Sequence, residues 1–182
     1  MKEGGTKANN LKELFEIQAG LDGEINKNHP KEEGENRELK KLLALQVEVG
    51  ELANELPEIF KFWSNKKNNR DKALKEYVDG THFIISFALE FGIDNLEFTG
   101  DDYTKDTALE TFTEVYAQIA VIQGLLLNAP EMVTMMIKDE IEELFNLYVG
   151  LAEKYLGFTW DEIVKAYLKK NQENHYRQMN GY

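Results

Sequence analysis

The chain contains no cysteine. Disulfides, zinc–thiolate centres and thiol nucleophiles are therefore excluded, and a cytoplasmic location is expected. Proline is scarce, with 3 in 182 residues, so few positions force a helix to break. No apolar run approaches the ~20 residues that span a bilayer. The start, Met1 to Lys7, lacks the apolar centre of a signal peptide, and no membrane partner is expected. Basic residues are the minority, 21 Lys and Arg against 33 Asp and Glu, for a net charge of −12. A duplex-binding protein needs positive surface to displace counterions, so duplex nucleic acid is not an expected partner. Strand-type alternation is weak throughout, and there is no internal repeat.

What remains is helical periodicity. With 42% hydrophobic and 30% charged residues over 182 positions, one compact domain covering residues 1–182 is expected. Apolar residues recur at steps of three and four in each long segment, which predicts an all-α, single-domain bundle of about six helices. Gly4, Gly5, Asn9 and Asn10 predict fraying over residues 1–10. A first helix follows through Leu11, Leu14, Phe15, Leu21 and Ile25, with Gln18 on its apolar side. A second runs from about Arg37 to Leu56, ended by Pro57. The aromatic stretch Ile59 to Trp63 and a basic loop lead to a third, Asp71 to Phe91. Thr107-Ala-Leu-Glu110 and Thr159-Trp-Asp-Glu162 fit capping boxes that open the fourth and sixth helices. Between them, a fifth carries Met132, Met135 and Met136, read as core filler. The segment 165–182 departs from the acidic background and is cationic and amide-rich, which suits either phosphate oxygens or a helix C-terminus.

Two carboxylate pairs stand out: Glu48 and Glu51 on the second helix, Glu76 and Asp79 on the third. Each pair is spaced i, i+3, which puts both side chains on one helix face. Four carboxylates facing one another between apolar helices repel and resist burial, and a divalent cation removes that cost. Magnesium, which takes carboxylate oxygen and keeps several waters, fits best, with manganese as a substitute. Three readings compete at this point. A hydrolase would use the ion to clamp phosphates while a carboxylate takes a proton from water. A di-iron bundle would use Asp79-Gly-Thr-His82 as an acid-x-x-His motif, but it needs a second copy, and His29 and His175 do not supply one. A non-enzymatic helical interaction protein would leave the acids solvated, and would not require Gly80 in mid-helix.

The chain resembles the dimeric, all-α dUTPase family, within the wider all-α (MazG-like) NTP pyrophosphatase group. The resemblance rests on Gln18-Ala-Gly-Leu-Asp22, Glu48-Val-Gly-Glu51, Phe60-Lys-Phe-Trp63-Ser, Glu76-Tyr-Val-Asp79-Gly-Thr-His82-Phe83, and the ending from Lys170 to Tyr182. It implies Mg²⁺-dependent hydrolysis of dUTP and dUDP to dUMP, which keeps uracil out of DNA, with two or more ions per site. Glu48, Glu51, Glu76 and Asp79 would bind metal. Glu48 or Glu51 would orient the attacking water, with Glu48 favoured. Gln18, Trp63, His82 and Phe83 would line the uracil and deoxyribose pocket, while Lys61, Lys170, Asn171, Asn174, Arg177 and Tyr182 would meet phosphate. A homodimer is implied, with the fourth and fifth helices as candidate interface. The alternative within the group is a pyrophosphatase acting on dCTP or on a broad set of nucleotides.

Overall fold

The computed structural model describes residues 3–181. It is helical, with no strand among the described residues. The elements are α1 (Glu3–Asn28), α2 (Arg37–Glu55), the single turn α3 (Pro57–Phe60), α4 (Arg70–Glu90), α5 (Ala108–Asn128), α6 (Val133–Gly150) and α7 (Trp160–Met179). Their starts follow from side chains that satisfy the otherwise orphaned first-turn amides. Asn36 accepts from the amide of Leu39, Asn69 from that of Lys72 and Thr107 from that of Glu110. Thr159 and Glu162 form a complete capping box at α7. At α5 the Thr107 hydroxyl donates to the Glu110 carboxylate as well. Pro57, without an amide hydrogen, ends α2 and begins α3.

The central element is α4. From Tyr77 to His82 every residue is buried, because α2, α7, α1 and α6 all pack against it. The pairing with α2 is the most extensive in the molecule, and this sets the two acidic helices side by side. One apolar cluster runs through the bundle, from Leu14 and Phe15 of α1 through Val49 and Leu52 of α2 to Ile119 of α5, Phe145 of α6 and Tyr167 of α7. Among the described residues, no single helix is long and apolar enough to cross a membrane.

Three local expectations need correction. Residues 1–10 are not frayed from Glu3 onward: Lys7 pairs with Glu153 and sits over the Phe98 ring, and the fully buried Leu11 anchors the next turn. The expected fifth helix is composite. A 3₁₀ turn (Pro130–Met132) precedes α6, and α6 widens into a π turn (Leu151–Leu156) that stops at Gly157, whose φ of 66° closes the end in the left-handed region. Of its methionines, Met136 packs against the core as expected, but Met132 and Met135 do not. Met135 is 70% exposed and Met132 36%, because α6 buries the opposite face, through Ile137, Ile141, Leu144 and Phe145.

Candidate active site

The acidic pairs meet where α2 crosses α4. One carboxylate oxygen each from Glu48, Glu76 and Asp79 lies within 4.8 Å of the others. Glu76 and Asp79 are buried and Glu48 half-buried. Burial, reinforced by Asp79, Glu51 and Glu76, pushes the Glu48 carboxyl up from 4.5 to about 7. Burial also raises that of Asp79, although Lys170 opposes it. Two ammonium groups stand against the cluster. Lys170 Nζ is 2.6 Å from Asp79, and Lys75 Nζ is 3.2 Å from Glu76 and 3.9 Å from Asp79. The donor set is all oxygen, is short of positive charge and already draws cations to its edge, so a hard divalent ion fits it.

Glu51 does not join this trio. It lies on the exposed side of α2, four residues beyond Val47 and eight beyond Leu43, which are themselves exposed. It is still near enough to raise Glu48. Among the described residues no histidine joins the cluster: His82 Nδ1 is bonded to Gln18, which leaves the di-iron reading without its ligand.

Beside the acids opens a cavity of about 490 Å³, whose lining includes Glu48, Asp79, Gln18, His82 and Phe83. A hydrogen-bonded chain fixes polar groups of that lining. The Gln18 side-chain oxygen accepts from Tyr167 Oη and from His82 Nδ1, each at 2.7 Å. The Gln18 amide nitrogen donates to Asp22 at 2.7 Å. Asp22 also accepts from Ser86 Oγ at 2.6 Å and from Lys41 at 3.1 Å. Because Gln18 presents an acceptor to Nδ1, the proton of His82 is on Nδ1 and Nε2 carries a bare lone pair. That Nε2 is buried without a hydrogen-bond partner among the described residues. The ring is stacked on Tyr167, with centroids 3.6 Å apart, and burial depresses its pKa from 6.5 to about 3, so it is neutral.

The residues expected to meet phosphate are divided. Lys170, Asn174 and Arg177 line the cavity from α7. Asn171 does not: it is buried in the α7 packing, and its Nδ2 has no hydrogen-bond partner among the described residues. Lys61 and Trp63 lie on the loop after α3, away from the cavity. Lys61 donates to Asn54 at 2.8 Å, and Trp63 is 65% exposed, touching only Phe60 and Phe62 edge to face among ring contacts. Tyr182 lies outside the described residues. Four residues of the site went unassigned from sequence: Asp22, Lys41, Ser86 and Tyr167. Helical spacing carried the signal for two of them, since Asp22 is one turn beyond Gln18 and Ser86 one turn beyond His82. Arg37 and Lys40 add positive charge to the cavity from the start of α2.

Three carboxylates beside a cavity that Lys170 and Arg177 also line make a chemically reasonable setting for a phosphate-bearing substrate and a divalent ion. The sequence profile described as dUTPase matches residues 10–182, and the chain belongs to that family. It is an all-α dUTP diphosphatase, which hydrolyses dUTP. No curated protein matches the chain.

The raised carboxyls make the ion-free site a pH-dependent load on the fold. Between about pH 4.5 and 7 the folded Glu48 holds a proton that the unfolded chain releases, so stability from this group falls as pH rises through that interval. His82 acts oppositely between about 3 and 6.5, where folding keeps it neutral. The difference between wild type and a single variant cancels the histidine. Glu48→Gln should gain thermal stability relative to metal-free wild type as pH is raised from about 5.5 to 8, and Mg²⁺ should shrink that gain. Melting curves across pH check this, and a pH-independent difference would contradict it.

Proposed function

We propose that this dUTP diphosphatase works with Mg²⁺ held by Glu48, Glu76 and Asp79, with Glu51 reached from the exposed edge, and that it converts dUTP and dUDP to dUMP in the cytoplasm. The observation that carries the reading is the triad of carboxylate oxygens within 4.8 Å beside the His82 cavity. When bound, the metal supplies neutralisation of phosphate charge, with two or more ions expected per site and Mn²⁺ as substitute. The chain's own residues do the rest. Glu48 is the member of the Glu48/Glu51 pair that lines the cavity, and it takes the proton as water attacks phosphorus and the phosphoanhydride bond breaks. Lys170 exchanges its contact with Asp79 for a phosphate oxygen, with Arg177 and Asn174 beside it on α7.

Base choice rests on His82. Its Nε2, closed off in the nucleotide-free chain, becomes uncovered as the base enters and accepts a hydrogen bond from N3–H of uracil, while cytosine has no hydrogen there and would set two lone pairs against each other. Phe83 supplies an apolar wall to the cavity. Gln18, Tyr167 and Asp22 keep the imidazole in the accepting tautomer.

The protein acts as a homodimer in this reading. Leu109, Tyr116, Val121 and Leu127 of α5, together with Met132 and Met135, leave apolar surface exposed. Leu43 and Val47 extend it along α2 towards Glu51. A second copy seated there would also shield the outer edge of the acid site, and Trp63 and Lys61, which do not reach the cavity of their own chain, would be free to serve a neighbouring one.

Two measurements check these roles. Against dUTP, dUDP, dCTP, dTTP and UTP with Mg²⁺, wild type should turn over dUTP and dUDP selectively, and Glu76→Gln should lose the activity. His82→Phe should lower kcat/KM for dUTP about 10- to 100-fold without a comparable change for dCTP, as expected for one lost buried hydrogen bond. Equal turnover of dCTP by wild type would overturn the base assignment. In sedimentation, wild type should run as a dimer and Val121→Asp/Leu127→Asp as a monomer, whereas an unchanged variant would rule out this face.

A further inference from the structure

Gly80 lies inside α4, next to Asp79, where glycine costs about 1 kcal/mol relative to alanine. The reason is on α6. A Cβ built at position 80 would fall 2.4 Å from Tyr148 Oη and 3.1 Å from Tyr148 Cζ. Tyr148 is fully buried and stacks on Tyr77, with ring centroids 4.3 Å apart and planes within 6°. The two phenols are exchanged between backbones. Tyr77 Oη donates to the carbonyl of Tyr148 at 3.1 Å, and Tyr148 Oη donates to the carbonyl of Tyr77 at 3.2 Å. Thr81 Oγ donates to the same Tyr77 carbonyl at 3.0 Å. The clamp therefore grips α4 on the backbone between Glu76 and Asp79, on the flank left bare by Gly80.

We propose that Tyr148 is a positioning residue for the acidic site. Its reciprocal clamp with Tyr77, admitted by Gly80, sets the rotation of α4 that points Glu76 and Asp79 at Glu48. A small rotation of α4 about its axis would carry the two carboxylates together away from α2 and open the cluster. The apolar contacts of α4 with α2 leave such a rotation less restrained than a pair of directional hydrogen bonds does. Burial keeps the Tyr148 phenol protonated, so it acts as a neutral donor. The inference rests on the divalent-ion reading of the cluster, and adds to it the residue that holds two of the ligands in register.

The test is Mn²⁺ binding to the nucleotide-free protein, followed through the electron paramagnetic resonance of the free ion, alongside urea denaturation. Tyr148→Phe keeps the ring and its stack, and leaves Tyr77's carbonyl its other donor, so the fold should persist. Mn²⁺ binding should weaken about 5-fold or more. Gly80→Ala should weaken it more strongly. Gly80→Ala/Tyr148→Phe should bind more tightly than Gly80→Ala, because removing Oη relieves the 2.4 Å clash. A merely structural role would shift the urea midpoint and leave the Mn²⁺ affinity of the folded protein unchanged. Wild-type affinity in Tyr148→Phe, or no recovery in the double variant, would overturn the proposal while leaving the metal site standing. Failure of wild type to bind Mn²⁺, or binding unaffected by Glu76→Gln, would remove the metal reading and this inference together.

Discussion

Mutual repulsion among buried carboxylates is the constraint around which this molecule is arranged. Glu48, Glu76 and Asp79 are brought within contact distance by the tightest helix pair in the bundle, although each resists burial in its charged form. The strain appears in Glu48, which holds its proton up to about pH 7. It is relieved only in part by Lys170 and Lys75, whose ammonium groups approach from α7 and from α4 itself. A bundle stabilised chiefly by apolar burial can carry such a load, and what it gains is a site with a standing demand for positive charge.

The rest of the fold divides the remaining work. Glu48, Asp79, Lys170 and Arg177 give the cavity charged groups of both signs. Elsewhere the lining holds a neutral histidine, its tautomer fixed by a network from α1 and α7 that runs on to the charged pair Asp22 and Lys41. In the proposed reading, substrate phosphate meets the metal and the cations of α7, and the base meets a neutral histidine of defined tautomer. Both depend on α4, which contributes Glu76, Asp79, His82, Phe83 and Ser86 over three turns. Its burial on all sides keeps those turns in register.

Much of this was legible in the sequence because helices translate spacing into direction. The i, i+3 acid pairs, the cap at Thr159 and the apolar steps of three and four placed α2, α4 and α7 closely. What spacing could not show was azimuth relative to a neighbouring helix. Glu51 satisfies the same local pattern as Glu48, yet faces outward along the Leu43–Val47 stripe. Asn171 belongs to the cationic ending, yet it turns into the packing of α7. Met132 and Met135 read as core because composition does not say which face of α6 is covered, and the loop of Trp63 has no periodicity to place it relative to the cavity of its own chain. The pairing of Gly80 with Tyr148 joins residues 68 positions apart, which no local pattern could report.

The most direct test of the central claim is a crystal structure of the protein with Mn²⁺ and a non-hydrolysable dUTP analogue, read in the anomalous signal of the metal. The expected result is a peak bound to oxygens of Glu48, Glu76 and Asp79, with uracil N3 facing His82 Nε2. A metal held elsewhere, or an analogue bound with its base away from His82, would contradict it.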